Sequence, residues 1–287
     1  MSLQRLILWV AIAMTAFAAN SLICRMALTG TAIDPASFAS VRMASGALML
    51  WLIVLWERRG KPPGTASGRW VVQGGNWISA AALFAYAMTF SYAYQHIATA
   101  TGALLLFGSV QASMIFYGVL RGERLRSLQT LGLLLALAGL IALMLPKLEA
   151  PPLGSALLMC TAGAAWGVYS LRGKKAAGPP IWVTAGNFWR AVPMALVVSF
   201  FAREVAVVDG RGFALALLSG AVASGMGYAI WYRVVPHLSA TSAATVQLSV
   251  PVIAAAGGAL LLGEALSLAV VLSSMAILGG IGLVLRR

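Results

Sequence analysis

The chain has 287 residues, 61% hydrophobic and only 9% charged, with a formal net charge of +13. A soluble domain carries roughly 25% charged residues, so a water-soluble fold is excluded. Little sequence is left for an extramembrane catalytic or nucleic-acid-binding module.

Apolar segments fall at about 6–26, 35–56, 70–93, 98–120, 126–146, 153–172, 180–202, 212–234, 238–262 and 266–285. Each is close to the ~20 residues that cross a bilayer as a helix. Their periodicity is weak, as expected for helices covered on every side by lipid or by other helices. Arg5 followed by an apolar run with Ala16-Phe17-Ala18 is similar to a signal peptide. The first segment, however, has a counterpart in the second half of the chain, Phe17 to Ser21 matching Trp166 to Ser170 in position, so it is read as a span. Glu57 to Arg69 is the longest polar linker, and Pro151-Pro152 marks a boundary between residues 1–149 and 150–287. Cys24 and Cys160 lie in apolar runs as small core residues. No CxxC or His/Cys cluster of zinc spacing occurs, so no metal and no cofactor are expected.

The two halves repeat each other. Arg121-Gly122-Glu123-Arg124-Leu125 returns as Leu262-Gly263-Glu264-Ala265-Leu266, and the same 141-residue shift carries His96 onto His237 and Gly139 onto Gly280. A duplicated unit with five spans inserts its second copy upside down, which is the inverted-repeat plan of secondary transporters. With the N-terminus inside, 14 of the 20 Lys and Arg residues fall in cytoplasmic segments. This positive-inside bias predicts ten spans with both termini in the cytoplasm of a bacterial inner membrane. It accounts for the net charge without nucleic acid. His96 and His237 then lie on opposite faces and cannot share a metal.

Gly122-Glu123-Arg124-Leu125 with Gln129, Gly132 and Gly139 resembles the end of the EamA repeat of the drug/metabolite transporter superfamily. Gln247-Leu248-Ser249-Val250-Pro251 through Leu262-Gly263-Glu264-Ala265-Leu266 resembles it more closely, and Pro35, Phe38 and Arg42 are similar to the start of that family's second span. The resemblance implies an all-α integral membrane protein whose substrate is a small molecule. Among the members, the chain looks most like bacterial amino-acid exporters, including the YddG-type exporters of aromatic amino acids. It also implies a cavity bordered by spans one, three, four, six, eight and nine. Drug or other metabolite efflux is the alternative within the superfamily, and a channel is the alternative outside it.

The seven acids, Asp34, Glu57, Glu123, Glu149, Glu204, Asp209 and Glu264, all sit in loops or at span ends. Coupled transporters place an acid or unwound carbonyls near the substrate, so transport without an intramembrane carboxylate is expected. Neither paired acids nor HExxH is present, and no enzyme is expected. Glu123 and Glu264 are read as carboxylates at the N-terminus of the helix that follows each, or as gates. Arg190, ten residues after Pro180, lies near mid-membrane, where it either anchors a substrate carboxylate or bonds helix ends; Arg42, seven residues after Pro35, is expected to snorkel outward. The remaining candidates for substrate binding are Asn20, Tyr86, Gln111, Trp166, Tyr169, Tyr228, Trp231 and Gln247. Amides and hydroxyls walled by aromatic faces suit a zwitterion with an apolar side chain, and each of these residues also has a plain reading as packing between helices. Pro193 and Pro251 are candidate kinks; Val110 stands in the first copy where the second has Pro251. No oligomer is required.

Overall fold

The computed structural model describes residues 1–58, 74–97, 99–145, 150–262 and 267–285. Glu149 and Glu264 lie outside the described residues.

The spans become helices α1 (Leu3–Gly30), α2 (Pro35–Arg58), α3 (Trp77–Ala93), α4 (Thr99–Leu120), α5 (Ser127–Met144), α6 (Leu153–Lys174) and α7 (Pro180–Phe201). They continue with α8 (Gly210–His237), the broken α9 (Ala240–Val246 and Ser249–Leu262) and α10 (Leu268–Leu285). Eight of these are long and apolar enough on their own to cross a bilayer. The other two are α3, an apolar helix of 17 residues, and α6, which has 22 residues and ends on Arg172 and Lys174. Both pack in the middle of the bundle, where α6 runs along α3 and α4. Helix α3 starts at Trp77 rather than near residue 70, because Gly74 and Gly75 form a bend, with Gly75 at φ +70°, before the Asn76 side chain caps the helix at Ser79 N–H.

Interhelical bonds fix the direction of every helix. At one end of the bundle, here the near end, Trp182 at the start of α7 bonds Glu57 at the end of α2. Arg172 at the end of α6 bonds Asn76 and Ser79 at the start of α3. Glu123, after α4, bonds Ala240 at the start of α9. Gln129 at the start of α5 bonds Val284 at the end of α10, and Arg233 near the end of α8 lies over Trp9 of α1. Helix α1 therefore starts at the near end, whereas its counterpart α6 finishes there. The repeats are inverted.

The packing carries the corresponding two-fold. Helix α1 lies against α8 and α9 as α6 lies against α3 and α4; α2 pairs with α7 and α8 as α7 pairs with α2 and α3. Helices α5 and α10 pair with each other. A Cβ on Gly132 would strike the Gly280 carbonyl, and one on Gly139 would strike the Ser273 carbonyl. By the repeat shift Ser273 is the counterpart of Gly132 and Gly280 that of Gly139, so this is a self-complementary, two-fold contact. Small residues let the backbones touch where no hydrophobic force drives helices together.

Two helices depart from the symmetry. Helix α4 runs unbroken through Val110, but α9 breaks at Gln247–Leu248. Pro251 has no N–H to give the Gln247 carbonyl four residues back. Val250 N–H takes that carbonyl instead, and Gln247 and Leu248 bond three residues back, to Ala244 and Thr245. Helix α8 widens into a π turn over Ser219–Met226, a feature absent from α3. Helix α7 continues through Pro193.

Candidate functional site

A small cavity of about 30 Å³ lies at mid-bundle between the repeats. Five of the sequence-predicted residues line it: Asn20, Tyr86, Trp166, Tyr228 and Gln247. They come from α1, α3, α6, α8 and the break in α9.

The break in α9 builds one wall. Tightening the turn releases the Ala243 and Ala244 carbonyls from their usual partners. Gln247 Nε2 donates to Ala243 O at 2.9 Å, and Gln111 Nε2 reaches across from α4 to Ala244 O at 2.7 Å. Gln247 Oε1 then accepts from Trp166 Nε1 at 2.5 Å. These bonds fix the Trp166 indole, which meets Phe17 edge-on at 5.2 Å and Tyr228 at 4.7 Å between centroids. Phe17 and Trp166 are position-matched residues of the two repeats, and their contact marks where the pseudo-two-fold axis passes.

Gln111, Tyr169 and Trp231 are buried but form the layer beneath the cavity on its near-end side. Trp231 Nε1 donates to Ser170 Oγ at 3.0 Å. Tyr232 OH donates to Tyr169 O at 2.9 Å, and these two rings stack at 4.7 Å. Closer still to the near end, Glu123 accepts from Ala240 N–H at 2.7 Å and from Thr241 N–H and Oγ1 at 3.2 Å, with Lys174 Nζ at 3.8 Å. The expected placement of Glu123 on the helix that follows it is corrected: it caps α9, in the other repeat. The geometry favours this because an exposed turn after α4 delivers the carboxylate to four orphan N–H groups at the start of α9. Bonded aromatic rings and a capped helix lie between the cavity and the near end. One buried polar atom in this layer, Gln111 Oε1, has no hydrogen-bond partner among the described residues.

The two arginines on the paired helices α2 and α7 exchange their expected places. Arg190 does not reach the cavity. Its Nη1 donates to Gly74 O at 2.6 Å and Gly186 O at 2.8 Å, and its guanidinium lies 5.8 Å from the Trp77 ring centre. The reason is the inward bend at Gly74 and Gly75, which brings a carbonyl to the charge; of the two readings of Arg190, bonding backbone at a helix end is the one observed. Arg42 does not snorkel. It is wholly buried, with Nε donating to Ser224 Oγ at 2.9 Å and Nη2 to Tyr228 OH at 2.5 Å, and its guanidinium 5.4 Å from the Tyr86 ring centre. Among the described residues no carboxylate pairs with it; the ion pair found is Lys174–Glu123.

Phe17, Arg42 and Ser224 escaped the candidate set. Phe17 was signalled by its alignment with Trp166. Nothing local marked Arg42, whose hydroxyl partners Ser224 and Tyr228 lie more than 180 residues away. His96 and His237 are exposed at opposite ends, and no cluster of metal-binding side chains occurs among the described residues.

The chain matches the profile of the EamA-like transporter family twice, over residues 4–145 and 153–286. The protein belongs to the EamA-like transporter family. It is therefore a multi-pass membrane transporter of the drug/metabolite superfamily, and the family carries small molecules across bilayers rather than transforming them. An uncharacterized protein of Pseudomonas aeruginosa is 51% identical over 282 residues, covering 98% of this chain and 95% of that one. A chain of known crystal structure superposes with a TM-score of 0.78 at 18% identity, covering 99% of this chain and 98% of its own. At that identity the likeness speaks for the fold alone.

Proposed function

We propose that this EamA-like transporter exports small metabolites, foremost apolar and aromatic amino acids, from the bacterial cytoplasm by alternating access. One observation carries the reading. The cavity at the junction of two inverted repeats is lined by amide and hydroxyl groups on one side and by the rings of Phe17, Trp166 and Tyr86 on the other. Polar groups orient the backbone ends of an amino acid, and rings hold an apolar side chain.

The near end carries Arg5, Arg121, Arg124, Arg126, Arg172, Lys174, Lys175 and Arg233, and the far end Arg25, Arg203 and Arg211. By the positive-inside rule the near end is cytoplasmic, with both termini there in the inner membrane. The bonded layer on that side supports a gated carrier over a continuously open channel. Rocking residues 1–149 against 150–287 would interchange the roles of the two repeats and open the opposite end. The unpaired Gln111 oxygen is a group for which the other state could supply a partner. Described acids all lie at helix ends, which supports transport without a buried carboxylate coupler.

The test is counterflow in liposomes holding only this protein, with labelled amino acids and no ion gradient. Exchange of phenylalanine, leucine or similar substrates is the expected result. No exchange of any amino acid by folded protein would overturn the proposal and favour drugs, nucleobases or an ion-coupled mechanism.

A further inference from the structure

The cation at Arg42 has consequences for the kind of molecule the cavity accepts. A buried guanidinium without a counter-charge is costly in a membrane interior. Here its charge is passed on through neutral groups. Arg42 Nε–H donates to Ser224 Oγ, and the Ser224 hydroxyl donates to Asn20 Oδ1 at 3.3 Å. Asn20 Oδ1 also accepts from Ser219 at 2.7 Å and faces Cys24 Sγ at 3.7 Å. The acceptor atom of Asn20 is therefore occupied, and the bonds that hold it leave the Nδ2 donors of this cavity-lining residue unused.

The second branch runs through the phenols. Arg42 Nη2–H donates to the Tyr228 hydroxyl, leaving that oxygen's own hydrogen to be given away. Tyr228 and Tyr86 lie side by side, with ring centres 6.5 Å apart, and both line the cavity. Whichever phenol oxygen takes the Tyr228 hydrogen, one hydroxyl hydrogen is left for the cavity. Hydrogen bonds in such chains polarise one another at low dielectric. Both branches start at a cation and end in a donor.

The amide acceptors, by contrast, are spent. Gln247 Oε1 is taken by Trp166 and Asn20 Oδ1 by two serines. Among the described residues no carboxylate lines the cavity. An ammonium group would meet ring faces and the hydroxyl oxygens of Ser21, Tyr86 and Tyr228 there, and no anionic partner.

We propose that Arg42 makes this cavity an anion-recognising site, in which the Asn20 amide and a phenol bind the substrate's carboxylate while no group is dedicated to its ammonium. The substrate class is thus small carboxylates with an apolar or aromatic body, amino acids being members of it rather than its definition. Arg42 acts as a positioning residue, through Tyr228 and through Ser224 and Asn20. This rests on the cavity being the transport site, as proposed above.

Three labelled compounds sharing one ring separate the two readings in the liposome assay: phenylalanine, 3-phenylpropionate, which lacks the ammonium, and 2-phenylethylamine, which lacks the carboxylate. The expected result is exchange of the first two, with the amine weaker by about tenfold or more, the size of a lost charge-assisted bond. Exchange of phenylalanine with the amine as fast as the acid would overturn the inference and leave the amino-acid reading standing. Exchange of phenylpropionate alone would sustain the inference and overturn the amino-acid reading. In Arg42→Gln and Tyr228→Phe the acid-to-amine ratio should collapse toward one, with partial rescue by Arg42→Lys; an unchanged ratio in Tyr228→Phe counts against the relay. Thermal stabilisation of the purified protein supplies a readout independent of transport. Stabilisation by phenylpropionate but not phenylethylamine is expected, and equal response to both, or to neither, overturns the proposal.

Discussion

Helices α2 and α7 are counterparts. Each begins with a proline, carries a single intramembrane arginine, and packs on the third helix of the other repeat. Yet the two arginines serve different ends. Arg190 on α7 is taken up by backbone carbonyls of Gly74 and Gly186, at the bend that starts α3. Arg42 on α2 instead finds the side chains of Ser224 and Tyr228 on α8. The π turn in α8 accounts for part of the difference, since it presents Ser219 and Ser224 to Asn20 within a single wide turn, and such turns recur at functional sites. Two-fold symmetry gives the fold, and its local violations give the site. The same holds for α4 and α9, where the break at Gln247 furnishes the amide that orients Trp166.

The comparison breaks most severely if the close approaches behind each arginine are filled. A Cβ on Gly186 would collide with the Gly74 carbonyl, and one on Gly220 with the Arg42 carbonyl and Ser45 Oγ. Gly186→Leu and Gly220→Leu should each cost about 3 kcal/mol or more from overpacking, seen as early thermal unfolding in detergent. Near-wild-type unfolding of either variant would mean that the helices can separate there at little cost.

Next in size is Arg190→Met. Losing two charge-assisted bonds to backbone should cost about 2 kcal/mol in thermal unfolding, with the preference between acid and amine substrates unchanged. A changed preference would show that Arg190 also shapes the site, and the contrast with Arg42 would fail. Trp166→Phe keeps a ring but leaves Gln247 Oε1 without its donor, at about 1–2 kcal/mol. Counterflow should fall while folded yield is kept, as it should for Gln247→Ala; unaltered rates in both would remove the α9 break from the site.

Smaller effects are expected at the near end. Glu123→Gln weakens the cap on α9 and should cost about 1 kcal/mol, while raising labelling of cysteines introduced in the layer below the cavity. Lys174→Met removes only a half-exposed ion pair and should change stability by less than about 1 kcal/mol.

Much of this was legible in the chain itself. Apolar runs long enough to cross a bilayer, an odd number of them per repeat, and basic residues gathered between alternate runs are local properties. Physical necessity turns them into inverted helical repeats, because a backbone in lipid has to satisfy its own hydrogen bonds within a helix. Pro251 likewise announced the break in α9, since the missing N–H acts within one turn. Asn20, Tyr86, Trp166, Tyr228 and Gln247 could be named as candidates because polar and aromatic residues deep in a span need a reason to be there. Which of them share a cavity was decided only by tertiary structure. So was the fate of the charged groups: Arg42 was buried rather than turned outward, Arg190 was bound to a bend it could not foresee, and Glu123 capped a helix of the opposite repeat. Sequence fixes how costly such a group is inside a membrane. The partner that offsets the cost lies across the bundle, more than a hundred residues away in each of these three cases, and only the packing of the two repeats says which one it is.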